Sequence, residues 1–179
     1  MVSLSPNSES YDYSHMYNMG DNRGPKPVLN INSNSILGFL TNYNFYKFAY
    51  VVRLARLENL FNDPQADVTL FVPSEFENNI TENMLKNMDE STAKSIVLFS
   101  TLNRKINYDL LSQSPSKYVF TQNTSNKLYL ETFNGSTYLN NRQSKIIRPD
   151  IMLDNGIIHI ISNFIIPDSF INTGSYKQF

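Results

Sequence analysis

At 179 residues the chain has room for one domain with a real core plus tails, and not for two ordinary domains. Hydrophobic residues make up 41% and charged residues only 17%, so neutral polar side chains, Asn foremost, must cover much of the surface. A net charge of −1 with scattered basic residues excludes nucleic acid and anionic membrane as main partners, and the lack of cysteine excludes disulfides, thiolate metal sites and Cys nucleophiles.

Cysteine content alone does not fix a compartment. No apolar run approaches membrane-spanning length, and the polar, tyrosine-containing N-terminus lacks the basic and apolar regions of a secretory leader. Export then needs a leader already removed or another route. Three acceptor triplets for N-glycosylation occur, Asn79-Ile80-Thr81, Asn123-Thr124-Ser125 and Asn134-Gly135-Ser136. In so Asn-rich a chain, chance is an adequate explanation for their number.

Residues 1–34 are rich in Ser, Asn, Gly and Pro without an apolar period, which predicts a flexible arm. Its cluster of Tyr11, Tyr13, His15, Met16, Tyr17 and Met19 reads either as incidental or as a segment that docks on a partner or on the domain itself. The domain is expected over 35–170 and a tail over 171–179. Ile36, Leu37, Phe39 and Leu40 predict a first helix, with Asn42 or Asn44 capping a second in which Phe45, Phe48, Val51, Val52 and Ala55 recur at helical spacing. Leu57, Leu60 and Phe61 continue into a short turn that Asn62-Asp63-Pro64 ends. Val68 to Val72 predicts a strand stopped by Pro73, and Ser74 with Glu75 and Glu77 the start of a small helix. Thr81 caps a further helix through Met84, Leu85 and Met88. Ser91 or Asp89 caps a longer one with Ala93, Ile96 and Val97 facing inward.

Beyond Lys105 the period becomes that of strands: Tyr118–Thr121, Lys127–Glu131, Thr137–Leu139 and Lys145–Ile147, punctuated by Asn, Ser and Gly. Asn134-Gly135 and Asn155-Gly156 both read as tight turns. The stretch Arg148 to Pro167 is the densest hydrophobic signal, a strand, an Asn-Gly turn and a very apolar strand. Helices first and antiparallel strands afterwards, joined by an early strand that pairs with the late ones, is an α+β order.

Three boxes resemble the fasciclin-like domain of cell-adhesion and extracellular-matrix proteins. Asp67-Val68-Thr69-Leu70-Phe71-Val72-Pro73-Ser74-Glu75-Phe76 is similar to the family's strand-Pro-helix box. Ala93 to Ile106 is similar to its helix and following strand. Asn155-Gly156-Ile157-Ile158-His159-Ile160-Ile161 is similar to its Asn-Gly-Val-Ile-His-Val-Ile signature. Phe71, Pro73, Asn155, Gly156 and His159 are the structural signature residues. The resemblance covers Ser35 to about Asp168 and implies a wedge or sandwich of about seven mostly antiparallel strands with a cap of helices. It also implies a non-catalytic binding module, without cofactor, at an extracellular, cell or particle surface, its partner an integrin-like protein receptor or a glycan.

Two departures matter. Phe99-Ser100 stands where many members have a Tyr-His pair. Pro149-Asp150-Ile151-Met152 matches the Glu-Pro-Asp-Ile-Met motif of integrin-binding members, with Arg148 replacing Glu. An integrin-type contact needs an exposed carboxylate to complete a divalent-metal shell, and Asp150 with Ile151 fits in kind. The other reading has Asp150 accepting structural hydrogen bonds while Ile151 and Met152 fill the core. Arg148 is either its ion partner or solvated.

His159 shares a strand face with Ile157 and Ile161, the place of a hydrogen-bonded core histidine. No zinc spacing, Ser-His-Asp motif, phosphate loop or marked carboxylate pair supports catalysis, so a small hydrolase is a distant third reading. Tyr118, Tyr129 and Tyr138 are either a platform for sugar or protein, or half-buried cross-strand pairs. The alternative to adhesion is a self-associating component of a matrix or viral particle coat, joined through the arm; the Asn-, Ile- and Tyr-rich composition fits the AT-rich genome of a large DNA virus or a microbe.

Overall fold

The structure is a computed structural model that describes residues 30–76 and 78–172. Three helices come first: α1 (Ile36–Asn42), α2 (Tyr46–Leu54) and α3 (Glu58–Asn62). They lead into strand β1 (Val68–Pro73), followed by α4 (Glu82–Asn87), α5 (Glu90–Phe99) and the two-residue β2 (Thr101–Leu102). After α6 (Tyr108–Leu111) the strands run consecutively: β3 (Ser116–Phe120), β4 (Lys127–Phe133), β5 (Ser136–Leu139), β6 (Ser144–Leu153) and β7 (Gly156–Ile161). Helix α7 (Asp168–Asn172) closes the described chain.

The seven strands form one sheet, ordered β2-β1-β7-β6-β5-β4-β3. All pairs are antiparallel except β1 with β7, which run parallel with Val68 opposite Gly156 and Pro73 opposite Ile161. The early strand thus pairs with the last one. The sheet curls until its two ends meet, where Leu102 bridges Thr121 and the Gln122 N–H donates to the Thr101 carbonyl at 2.9 Å. The result is a nearly closed, mixed wedge and not two stacked sheets.

Two hydrophobic cores follow from that curl. Val68, Leu70 and Val72 of β1 and Ile158 and Ile160 of β7 face the helices, packing with Phe48, Val51, Leu85 and Ile96. The opposite faces of the same strands send Phe71 and Ile161 into the wedge, with Leu128, Leu130 and Leu139. Burial on both faces explains why β1 and β7 read as unbroken apolar runs.

Local signals are followed at most helix starts. Ser35 caps α1 at Gly38, Thr81 caps α4 at Met84, and Asp89 caps α5 at Thr92. Neither Asn42 nor Asn44 caps α2; Asn44 sits at φ 63°, and the Lys47 N–H is capped across the fold by Glu75 Oε1 at 3.0 Å. That contact turns Ser74-Glu75-Phe76 away from helix, and the segment is a bend in which Ser74 Oγ accepts from the Phe76 N–H. Helix α6 interrupts a region expected to be strand only. Asn30 and Asn32, expected in the arm, are already tied to the domain through Asn62. The Tyr11–Met19 cluster lies outside the described residues.

The two Asn-Gly pairs do different jobs. Asn134 and Gly135 form the two-residue turn of β4–β5 at φ 51° and 79°, the left-handed pair such hairpins favour. The β6–β7 turn, however, is Asp154-Asn155, since Leu153 pairs with Gly156. Asn155 is fully buried, its Oδ1 accepting from the Ile36 N–H and its Nδ2 donating to the Phe61 and Asp63 carbonyls. A Cβ on Gly156 would stand 2.5 Å from the Val68 carbonyl oxygen and 2.6 Å from Ile36 Cδ1. The pair is a tertiary clamp between hairpin and helices.

Candidate functional site

Strand β6 carries the Arg148-Pro149-Asp150-Ile151-Met152 run, and its pairing with β7 is irregular there. Between Arg148↔Ile160 and Ile151↔Ile158 it advances one residue more than β7, and a second irregularity lies between Ile146 and Arg148. Proline has no N–H to offer a ladder, so it fits the bulge, and Asp150 takes up the left-handed φ of 62°. The Asp150 N–H, released from the ladder, donates to His159 Nδ1 at 3.1 Å. The Asp150 carboxylate accepts from the Tyr108 N–H, the first of α6, at 2.8 Å, and the same oxygen lies 3.9 Å from His159 Nδ1.

His159 is fully buried beside Phe71, with ring centroids 5.8 Å apart. Because Nδ1 accepts from Asp150, the ring proton lies on Nε2, which donates to the Ile106 carbonyl at 2.8 Å. Burial pushes the imidazole below its ordinary pKa of 6.5, against the opposing pulls of the Ile106 carbonyl and the Asp150 carboxylate. Asp150, His159 and α6 therefore form one joint. Pro149 and Asp150 are exposed and Ile151 packs partly into the helical core. Met152 is 63% exposed, so it does not fill the core.

The second region is the outer face of β3–β5. Period-two alternation sends Leu128, Leu130 and Leu139 into the wedge and leaves Tyr118, Phe120, Tyr129, Phe133 and Tyr138 outside. Phe120 is 76% exposed, Tyr118 66% and Phe133 53%. Tyr118 packs on its cross-strand neighbour Tyr129 with centroids 5.0 Å apart. Lys127 sits over the Phe120 ring, and Arg142 lies over both Phe133 and Tyr138 while donating to Glu131 at 2.6 Å. That carboxylate holds the Arg142 pKa above its ordinary value.

Phe120, Phe133 and Arg142 escaped the sequence reading, although a signal existed. With Val119 turned inward, Tyr118 and Phe120 must both face out. At the position of the family's Tyr-His pair, Phe99 and Ser100 are each 1% exposed, and Ser100 Oγ donates to the Ile96 carbonyl. That position presents nothing to a partner.

Among the described residues no three His, Asp or Glu side chains are grouped to hold a metal ion. A shallow, open depression of about 270 Å³ between α5 and the β3–β4 loop is lined by Lys94, Ser95, Gln122 and Asn123 among others. It contains no histidine or carboxylate to move a proton. Among the described residues no helix is long and apolar enough to cross a membrane.

Comparison with known proteins agrees with this geometry. Among solved structures, the chain resembles a FAS1 domain pair from the insect cell adhesion molecule Fasciclin I at a TM-score of 0.57 and 22% identity. The match covers 80% of this chain and 54% of that one, so the chain spans about half of the pair. A comparison with curated proteins finds no significant match. The family model of the Fasciclin domain matches residues 43–167, and the chain belongs to the fasciclin domain family.

Proposed function

We propose that the chain is a non-enzymatic adhesion module that works at an extracellular, cell or particle surface and holds a protein receptor or a glycan on the outer face of β3–β5. The observation that carries this reading is the exposure of Tyr118 and Phe120, 66% and 76%, on one continuous aromatic face. Large rings left in water are the groups that anchor partners, because each brings apolar area and tyrosine adds a hydroxyl. Lys127, Glu131 and Arg142 around them supply a polar rim. The test is cell attachment to immobilised full chain, wild type against a Tyr118→Ser/Phe120→Ser variant of matched thermal stability. Attachment lost in the variant supports the reading; equal attachment refutes it.

A second contact is favoured by the bulge at Asp150, which presents an exposed carboxylate beside the exposed Met152. One carboxylate oxygen holds α6, and a divalent cation on an integrin-like receptor would take the other. Asp150→Asn keeps an acceptor for the Tyr108 N–H and tolerates the left-handed backbone while removing the charge. Attachment that depends on divalent cations should fall in this variant; unchanged attachment removes Asp150 from the contact. The alternative of a self-associating coat or matrix component predicts concentration-dependent sedimentation that is lost when residues 1–29 are removed, a deletion that leaves the Asn30 and Asn32 contacts with Asn62 in place.

A further inference from the structure

We infer that Asn134 is an N-glycan acceptor, and that it is the one triplet of the three that the folded domain allows to carry a sugar. The inference rests on the surface location proposed above, because the reaction needs passage through a lumen that holds the transferase. In that reaction the Asn134 Nδ2 bonds to the anomeric carbon of a lipid-pyrophosphate-linked oligosaccharide. The bond from that carbon to the pyrophosphate breaks, the lipid pyrophosphate leaves, and the carboxamide gives up one proton. Ser136 supplies the hydroxyl of the acceptor triplet.

The three carboxamides differ in what the fold asks of them. Asn79 Nδ2 donates to the Phe164 carbonyl at 3.0 Å while its Oδ1 accepts from the Phe164 N–H at 2.8 Å, so both ends hold the chain after β7. Asn123 is 8% exposed; its Nδ2 donates to the Ser95 carbonyl and hydroxyl, and its Oδ1 accepts from Ser125 and Asn126. A glycosylated Nδ2 keeps only one N–H, so a sugar on Asn123 would displace one of its two donated bonds in a buried site. A sugar on Asn79 would crowd the Phe164 backbone that its side chain grips at both ends; Asn134 has no such contact to lose. Asn134 stands at the tip of the β4–β5 turn, exposed, with no hydrogen bond among the described residues. Nothing lies within 4 Å of a Cβ built on Gly135 beside it, so the tip is open to solvent.

The position has a consequence for binding. Asn134 follows Phe133, whose ring lies under Arg142, so a sugar there borders one end of the aromatic face and leaves Tyr118 and Phe120 clear at the other. A partner would then approach from the β3 side.

The test is expression of the full chain behind a secretion leader in eukaryotic cells, with glycopeptide mapping of the secreted, folded monomer. Forcing the route separates acceptor competence from where the protein goes and from what it binds. The expected result is one endoglycosidase-sensitive species, with the glycan mapped to Asn134. It should be lost in Asn134→Gln and also in Ser136→Ala, which keeps the left-handed Asn134. Secreted monomer without a glycan, or folded monomer with a glycan at Asn79 or Asn123, overturns the inference.

Discussion

The β1–β7 pair and the β3–β5 meander belong to one sheet, yet they obey opposite rules. Every residue of β1 and β7 is buried, because helices cover one face and the curled sheet the other. In β3 every other residue is exposed, and the exposed ones include Tyr118 and Phe120. Apolar side chains in the first region hold the fold together. In the second only the inward-facing ones, Leu128, Leu130 and Leu139, do so, while the outward-facing rings stay in water.

The sharpest way to break that contrast is to remove one ring from each region. Phe71→Ala opens a cavity in the wedge and should cost about 3–5 kcal/mol, whereas Phe120→Ala should change stability by no more than about 0.5 kcal/mol. Chemical denaturation of both variants measures the difference. Comparable losses would mean that Phe120 is part of the core after all.

Asn155→Ala leaves the Ile36 N–H and the Phe61 and Asp63 carbonyls without their partner, at a cost of about 2–3 kcal/mol. The glycines divide in the same way. Gly156→Ala meets the Val68 backbone and should cost about 1–3 kcal/mol through overpacking, whereas Gly135→Ala meets only its own left-handed φ, about 1 kcal/mol. Thermal melts order the three variants, and a Gly156→Ala protein as stable as wild type would refute the clamp.

The most conditional effect is that of pH. His159 is neutral in the fold with its pKa below 6.5, so above that value the folded and unfolded chains bind the same number of protons at this site. As pH falls below 6.5 the unfolded imidazole takes a proton first. Stability should then decline by at most about 1.4 kcal/mol per pH unit until the folded pKa is reached. Nitrogen NMR should show His159 in the Nε2–H form down through that range. A Nδ1-protonated ring, which would face the Asp150 N–H, would overturn the assignment.

Much of this molecule was legible before any coordinates. Thr81 announces its helix, and Asp89 is one of the two caps that local spacing offers for the next, because a cap is a contact over three residues. The left-handed turn at Asn134-Gly135 is equally local. Where reading failed, a distant residue had intervened. Glu75 caps α2 from beyond β1, which replaced the expected Asn cap and cancelled the expected helix after Ser74. Asn155-Gly156 has the letters of a turn, but its side chain and its missing Cβ are both used against α1.

The candidate sites show the same division. That Tyr118 and Phe120 share a face follows from strand period alone, and that Tyr129, Phe133 and Arg142 join them follows from the sheet. That Asp150 sits in a suggestive motif was plain from Pro149-Asp150-Ile151-Met152. That the motif is a bulge, and that one carboxylate oxygen already holds α6, needed β7 and α6 to be in place.

The sequence by itself determined the family, the α+β order and the alternation of buried and exposed positions, because these depend on residue types a few positions apart. Only the tertiary structure decided which polar groups serve as clamps and which apolar ones remain in water. Those outcomes are set by contacts between residues as far apart as Ile36 and Asn155, which no local pattern records.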